Sequence, residues 1–293
     1  MNEVGVGVTL PQFKDDASEL IDGARRAVDA GFDSLWVFDH LWPLGAKRRP
    51  ILECWSCLAY LAAEVPNVTV GSLVTRSTLR NPALVAKMAG TVSSIAPGRV
   101  VVGLGSGDAA SRPENEAFGL AYHSGEDRHA QLASVVTALA SYRDAREVDV
   151  SDPLVRIAKL PAHPVAPFAV WVGGVSATVL AVAARHADGY NCWGVPAETV
   201  RRRTRQMLDL ADGRPIAITW GGQVMVGRSR HEAALRLGTR DPARFVTGDP
   251  AELGDRLAEV AEAGATHLIM ASPFVGDPGT YELLARARSL GGL

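Results

Sequence analysis

The chain has 293 residues, 47% of them hydrophobic and 21% charged, with a formal net charge of -2. That supplies a large core, and the near-neutral balance excludes a chain built mainly to bind nucleic acid, which needs a basic surplus. Length alone allows two domains of about 150 residues, but α/β barrels reach ~250 residues or more as one.

Val4 to Leu10 is rich in β-formers and stops at Pro11-Gln12. Asp15 or Asp16 can cap a following helix whose apolar positions Leu20, Ala24, Ala27 and Val28 share one face, and Gly31 sits where a left-handed cap is expected. Ser34-Leu35-Trp36-Val37-Phe38 reads as a buried strand that ends abruptly on Asp39-His40. Trp42-Pro43 and a loop with Gly45 and basic residues follow. The spacing predicts a helix over Ile51 to Glu64, a strand over Val68 to Val74, and a helix from Asn81-Pro82 to about Ile95.

Arg99 to Leu104 is a continuous apolar run, the signature of a strand buried on both faces of a parallel sheet. Gly105-Ser106-Gly107-Asp108 closes it, and an irregular polar segment is expected up to about Gly125, before a helix from Asp127 to Arg143. Four prolines between Arg146 and Pro167 predict an irregular excursion, at about 145–167, with no linker to a second domain. Beyond it come a strand over Phe168 to Val172, Gly173-Gly174, a helix from Ser176 to His186 and a strand over Asp188 to Cys192. The rest reads as a helix to Asp212, a long strand over Pro215 to Val226, helices over Arg230 to Leu237 and Pro250 to Ala263, a strand over Thr266 to Ala271, and a last helix over Gly279 to Ser289. Eight strands, each followed by a helix, predict a single (β/α)8 barrel over residues 1–293.

The opening residues lack a basic region followed by a long apolar one, and Pro167 and Gly173-Gly174 interrupt the most apolar stretch, Val165 to Val182. A soluble, cytoplasmic protein is expected. Cys54-Trp55-Ser56-Cys57 is formally a CxxC, but no second pair exists and it lies within the expected helix, so inert buried thiols are expected. Arg201-Arg202-Arg203 with Arg205 reads as a solvated helix face.

Chemistry can gather at the strand tips, where barrel sites are built. Asp39-His40 can serve as acid and base or as electrostatic support. Gly105-Ser106-Gly107-Asp108 either brings a flat ligand close to the backbone, with Asp108 in the mouth, or is a tight turn with a solvated acid. As a G-x-G-x-x-A string it lacks the helix a dinucleotide fold requires, since Ser111-Arg112-Pro113-Glu114-Asn115 reads as irregular. Gly173-Gly174-Val175-Ser176 ahead of a helix is either a phosphate site or a plain turn. Trp42, Trp193 and Trp220 can wall an aromatic pocket or simply pack. No metal-ligand spacing is present.

Taken together, Phe38-Asp39-His40, Gly71-Ser72-Leu73-Val74-Thr75 with Arg80-Asn81-Pro82-Ala83, Gly98-Arg99 through Gly107, Val172-Gly173-Gly174, Ala187 to Asn191 and Gly248 to Gly264 resemble the luciferase-like oxidoreductases, in their branch that uses the deazaflavin coenzyme F420. The resemblance covers nearly the whole chain. It implies a barrel, usually a homodimer, with the cofactor ring at the C-terminal mouth and a non-proline cis peptide at Leu73-Val74. It implies that Asp39, Leu73, Val74, Gly105, Gly107, Gly173, Gly174, Ser176 and Asn191 contact cofactor, and that His40 lies beside the reactive carbon. Trp42 and Trp193 would then line the substrate pocket. Asp108 stands where some members carry a proton-exchanging glutamate, with a shorter side chain here. The activity implied is hydride transfer between F420 and a small organic substrate. An FMN-dependent monooxygenase of the same superfamily, and a cofactor-binding protein without turnover, are the alternatives.

Overall fold

A computed structural model of the protein describes residues 4–43 and 46–293. Gly45 and the first three residues lie outside the described residues. In chain order the elements are β1 (Gly5–Thr9), α1 (Ala17–Asp29), β2 (Ser34–Val37), α2 (Cys54–Glu64), β3 (Thr69–Ser72), β4 (Thr75–Arg76), α3 (Pro82–Ile95), β5 (Val100–Gly105), α4 (Arg112–Ala117), α5 (Gly125–Arg143), β6 (Val148–Ser151), β7 (Arg156–Leu160), β8 (Ala169–Gly173), α6 (Ala177–His186), β9 (Gly189–Trp193), α7 (Ala197–Ala211), β10 (Ala217–Val226), α8 (Arg230–Leu237), β11 (Phe245–Gly248), α9 (Pro250–Glu262), β12 (His267–Ala271) and α10 (Thr280–Leu290). All eight expected strands are present, as β1, β2, β3, β5, β8, β9, β10 and β12.

Contacts group the chain into two compact units. The first holds residues 4–11, 18–36 and 191–293. Its strands run parallel, with β1 between β12 and β2 and β10 between β12 and β11. The register sets Val8 beside Met270 and Leu35, so wholly buried side chains stack from strand to strand. Helix α1 buries Leu20, Ile21, Ala24 and Ala27 on one face, and Gly31 ends it at φ 88°. Helix α9 begins in a capping box formed by Asp249 and Glu252.

The second unit holds residues 12–17 and 37–190. There β5 runs parallel between β3 and β8, and every residue of β5 is buried. Helix α3 starts at Pro82 with Asn81 accepting the Ala83 N–H, which fixes the start of the expected element. Arg99, just before β5, donates to the Val65 and Val68 carbonyls at 3.0 and 2.9 Å and to Ala62 at 3.1 Å, closing the C-terminal end of α2.

Four expectations are corrected. The segment from Arg146 to Pro167 contains an antiparallel hairpin, β6 and β7. Its turn is built by Asp152, whose side chain accepts the Leu154 and Val155 N–H groups, while Pro161, Pro164 and Pro167 all follow β7. The polar stretch after Asp108 holds a 3-10 turn and α4, so Arg112 to Asn115 is helical. Phe245–Gly248, which falls between the expected helices Arg230 to Leu237 and Pro250 to Ala263 where no strand is expected, is a strand paired with the far half of β10. Cys54 is the first residue of α2 rather than an interior one. All three thiols are nevertheless free and buried. The arginines of α7 are not among the buried residues of that helix. No helix among the described residues is long and apolar enough to cross a membrane.

Candidate active site

The site of the second unit is built where β2 delivers the chain. Gln12, fully buried, donates to the Phe38 carbonyl at 2.8 Å and to the Leu52 carbonyl at 2.7 Å, and accepts the Phe38 N–H at 2.7 Å. One amide thus clamps the backbone immediately before Asp39-His40, with each polar atom used.

Asp39 is 2% exposed. Arg80 grips it with both terminal nitrogens, at 2.7 and 2.9 Å, and the Arg76 N–H adds a bond at 3.0 Å. Such bidentate pairing fixes orientation as well as charge. Burial opposes the Arg80 charge, but the Asp39 hydrogen bonds and the Asp39 and Glu53 carboxylates raise its pKa further still. Glu53 caps α2 at Ser56 and reaches Arg80 at 2.5 Å. Asp39 is therefore a locked anchor at the base of the site.

His40 is set by a residue that sequence reading missed. Its Nδ1 lies 2.9 Å from Oε1 of Glu114, whose side chain has no exposed surface. The same carboxylate accepts the Leu41 N–H at 2.7 Å and pairs with Arg76 at 2.9 Å. Arg76 in turn donates to the Asn115 side chain at 2.9 Å and to the Asp39 carbonyl at 2.9 Å. Burial raises the Glu114 pKa, but the His40 and Leu41 hydrogen bonds and the Arg76 charge outweigh it and hold the carboxyl below its ordinary value. His40 keeps its other ring nitrogen without a hydrogen bond among the described residues, and its side chain is 21% exposed.

Leu73-Val74 is a cis peptide, as expected, and the Leu73 N–H bonds the Val37 carbonyl at 2.7 Å. Ser72 and Thr75 brace it through hydrogen bonds at 2.9 Å to the Gly103 carbonyl and to each other. Gly103 and Gly105 are required by this packing. A Cβ on Gly103 would lie 2.1 Å from the Ser72 carbonyl oxygen, and one on Gly105 2.6 Å from the Val74 side chain. Gly107 has φ 71°. Asp108 is exposed and caps the 3-10 turn, accepting the Ser111 N–H and hydroxyl at 3.2 Å.

At the end of β8, Gly174 has φ 144°, and its carbonyl accepts the Tyr190 hydroxyl at 2.7 Å. A Cβ there would meet Val179 at 2.9 Å. Ser176 caps α6 through the Val179 N–H at 3.3 Å, so the first amides of that helix carry its positive dipole end. Trp42 lies 6.1 Å from Phe118, centroid to centroid.

Three expected residues belong to the first unit. Asn191 is buried and donates to the Thr219 hydroxyl at 2.9 Å, and Trp193 is 43% exposed beside Gly221. Trp220 is a core residue, bonded to the Val195 carbonyl at 2.9 Å. The structure thus brings together Asp39, His40, Leu73, Val74, Gly105 and Gly107, and adds Gln12, Arg76, Arg80, Glu114 and Asn115. The one sequence signal for Glu114 is Arg112-Pro113, a proline suited to a first helical turn.

The family model for luciferase-like monooxygenases matches residues 1–243. The F420-dependent glucose-6-phosphate dehydrogenase of Intrasporangium calvum is 27% identical over 93% of each chain. The F420-dependent hydroxymycolic acid dehydrogenase of Mycobacterium tuberculosis is 27% identical over 84% of this chain and 63% of its own. A solved F420-dependent secondary alcohol dehydrogenase, in complex with an F420-acetone adduct, matches with a TM-score of 0.81 at 19% identity over 98% of this chain and 99% of its own. The last likeness shows the fold, a (β/α)8 barrel. By its match over most of its length, this chain belongs to the luciferase-like monooxygenase family.

Proposed function

We propose that the protein is an F420-dependent oxidoreductase that exchanges hydride with an alcohol or hemiacetal carbon. The observation that carries the reading is the buried clamp on Asp39-His40, which leaves one imidazole nitrogen free at a strand tip. The names of its similar proteins, three dehydrogenases that use F420, support the cofactor and the alcohol-type substrate.

The residues present fit such a cofactor. The Arg76 Nη2 and Ser77 Oγ atoms are buried without a partner among the described residues, at the strand tip beside the cis peptide. The glycines at 107, 173 and 174 are not buried and leave the backbone accessible, and the α6 amides offer donors to phosphate. Leu73, Val74, Gly105 and Gly107 would hold the ring, and Gly173, Gly174 and Ser176 the phosphate.

When bound, the deazaflavin supplies the carbon that accepts or returns hydride. Glu114 fixes the His40 ring through Nδ1, so Nε2 is the atom that takes the proton from the substrate hydroxyl as the carbon is oxidised, and returns it in the reverse direction. Arg80 and Arg76 keep Asp39 in place beneath it. Asp108 commits one carboxylate oxygen to Ser111 and keeps the other available as a second proton acceptor at the rim.

The test is a fluorescence titration with coenzyme F420, run beside one with FMN, followed by turnover assays on alcohols. F420 binding at least about tenfold tighter than FMN, with turnover lost in His40→Ala while F420 still binds, supports the reading. Preference for FMN with oxygen-dependent turnover, or an active His40→Ala, overturns it.

A further inference from the structure

The loop leaving β10, helix α8 and the start of α10 enclose a cavity of about 290 Å³ in the first unit. Its lining brings together Arg228, Arg236 and Arg286, against one lining carboxylate, Glu282. Glu232 adds a second acid beside it, bonding the Arg228 N–H at 3.0 Å and Arg236 Nη2 at 3.3 Å. Three guanidiniums therefore meet two carboxylates, and neither Arg228 nor Arg286 has a side-chain ion pair among the described residues.

Arg236 is the telling member. Its guanidinium rests over the Phe274 ring at 5.5 Å, so its position is fixed, yet its Nη1 is buried with no hydrogen-bond partner. A cationic donor buried without an acceptor is costly, and so is the approach of like charges around one concavity. An anion in the concavity relieves the crowding of like charge. Helix α10 adds to the same field. Its cap is Gly279, at φ 83°, which has no side chain to bond the first-turn amides.

We propose that this cavity binds a phosphate dianion carried by a small phosphorylated metabolite. Three guanidiniums offer the forked donors that phosphate oxygens accept, and the volume suits a phosphoryl group with a few attached atoms.

The experiment is calorimetric titration of the whole protein with inorganic phosphate and, separately, with glycerol 3-phosphate, against potassium chloride at matched ionic strength. The same titrations are run on Arg228→Gln/Arg286→Gln, whose side chains are exposed and unpaired, so that its unfolding temperature in chloride should match the parent. Saturable binding of both phosphates, weakened about tenfold or more in the double variant, is expected. A control variant, Arg205→Gln on the exposed face of α7, should leave that binding unchanged. Phosphate binding no stronger than chloride, or equal in the double variant and the parent, overturns the site. Binding of inorganic phosphate but not of the ester overturns the metabolite assignment. No cofactor or turnover enters these measurements, so their failure would be distinct from failure of the deazaflavin reading.

Discussion

Nδ1 of His40 stands 2.9 Å from Oε1 of Glu114, a carboxylate wholly removed from solvent. That bond decides which imidazole nitrogen is available for chemistry, and Arg76 balances the charge. Glu114→Gln keeps the shape and removes the charge. It should lower kcat by roughly tenfold or more through loss of ring alignment, while F420 affinity stays within about threefold. It should also lower stability by about 3 kcal/mol, because Arg76 remains buried with a weaker partner. Steady-state kinetics, cofactor titration and urea unfolding read these three effects. Unchanged kcat would remove Glu114 from the site. The carboxyl is held below its ordinary value of 4.5, so its contribution to stability is present above that pH and is lost as pH falls through the folded value.

His267 gives the opposite kind of pH effect. It is half-buried beside Ser34, 2.8 Å away, and the loss of water around its ring pushes its pKa down to about 4 from 6.5. Between those values the unfolded chain holds a proton that the folded chain refuses. Stability from this group is complete above about 6.5 and falls as pH drops, by about 2 kcal/mol at pH 5. The loss between pH 8 and 5 should therefore shrink in His267→Gln. Parallel urea curves for parent and variant at both pH values would contradict the assignment.

Two glycine variants separate close packing from backbone conformation. Gly103→Ala places a methyl 2.1 Å from the Ser72 carbonyl oxygen, where β3 and β5 pair. Backbone must move, so a loss of about 3 kcal/mol or more is expected. Gly98 has φ 72° and open space around it, so Gly98→Ala should cost only about 1 kcal/mol. Thermal unfolding ranks the pair, and equal losses would refute the packing account.

The thiols should be silent. Burial pushes Cys57 up to about 12, Cys192 up to about 11, and Cys54 well above its ordinary value, where Asp39 and Glu53 add to the effect. At pH 8 a disulfide reagent should label no thiol of the folded protein within minutes and all three after denaturation. Rapid labelling of Cys54 or Cys57 would reopen a redox role for the CxxC.

The scaffold was legible because its signals are local. Asn81-Pro82 announces α3, and the unbroken apolar run of β5 announces burial on both faces. The tip at Asp39-His40 is equally local. What holds that tip is not. Glu114 lies 74 residues beyond His40, in a six-residue helix too short to show a period. Arg76 sits in a two-residue strand, and nothing in Thr75-Arg76-Ser77 states that the guanidinium turns inward. The β6–β7 hairpin does alternate, with Val148 and Val150 buried and Asp149 and Ser151 exposed, but the prolines after it masked a period of two. Phe245–Gly248 is short and half-exposed, so its pairing with β10 leaves little trace in composition.

Arg99 has a bearing on how this chain could be cut and recombined. One guanidinium closes three carbonyls that belong to Ala62, Val65 and Val68, although it enters from the turn just before β5, beyond β3, β4 and α3. A module boundary drawn between α2 and β5 would look clean on paper, falling between complete secondary elements. A chimera joined there inherits either a helix end with three open acceptors or an arginine with nothing to close, unless both sides of the cut come from the same parent.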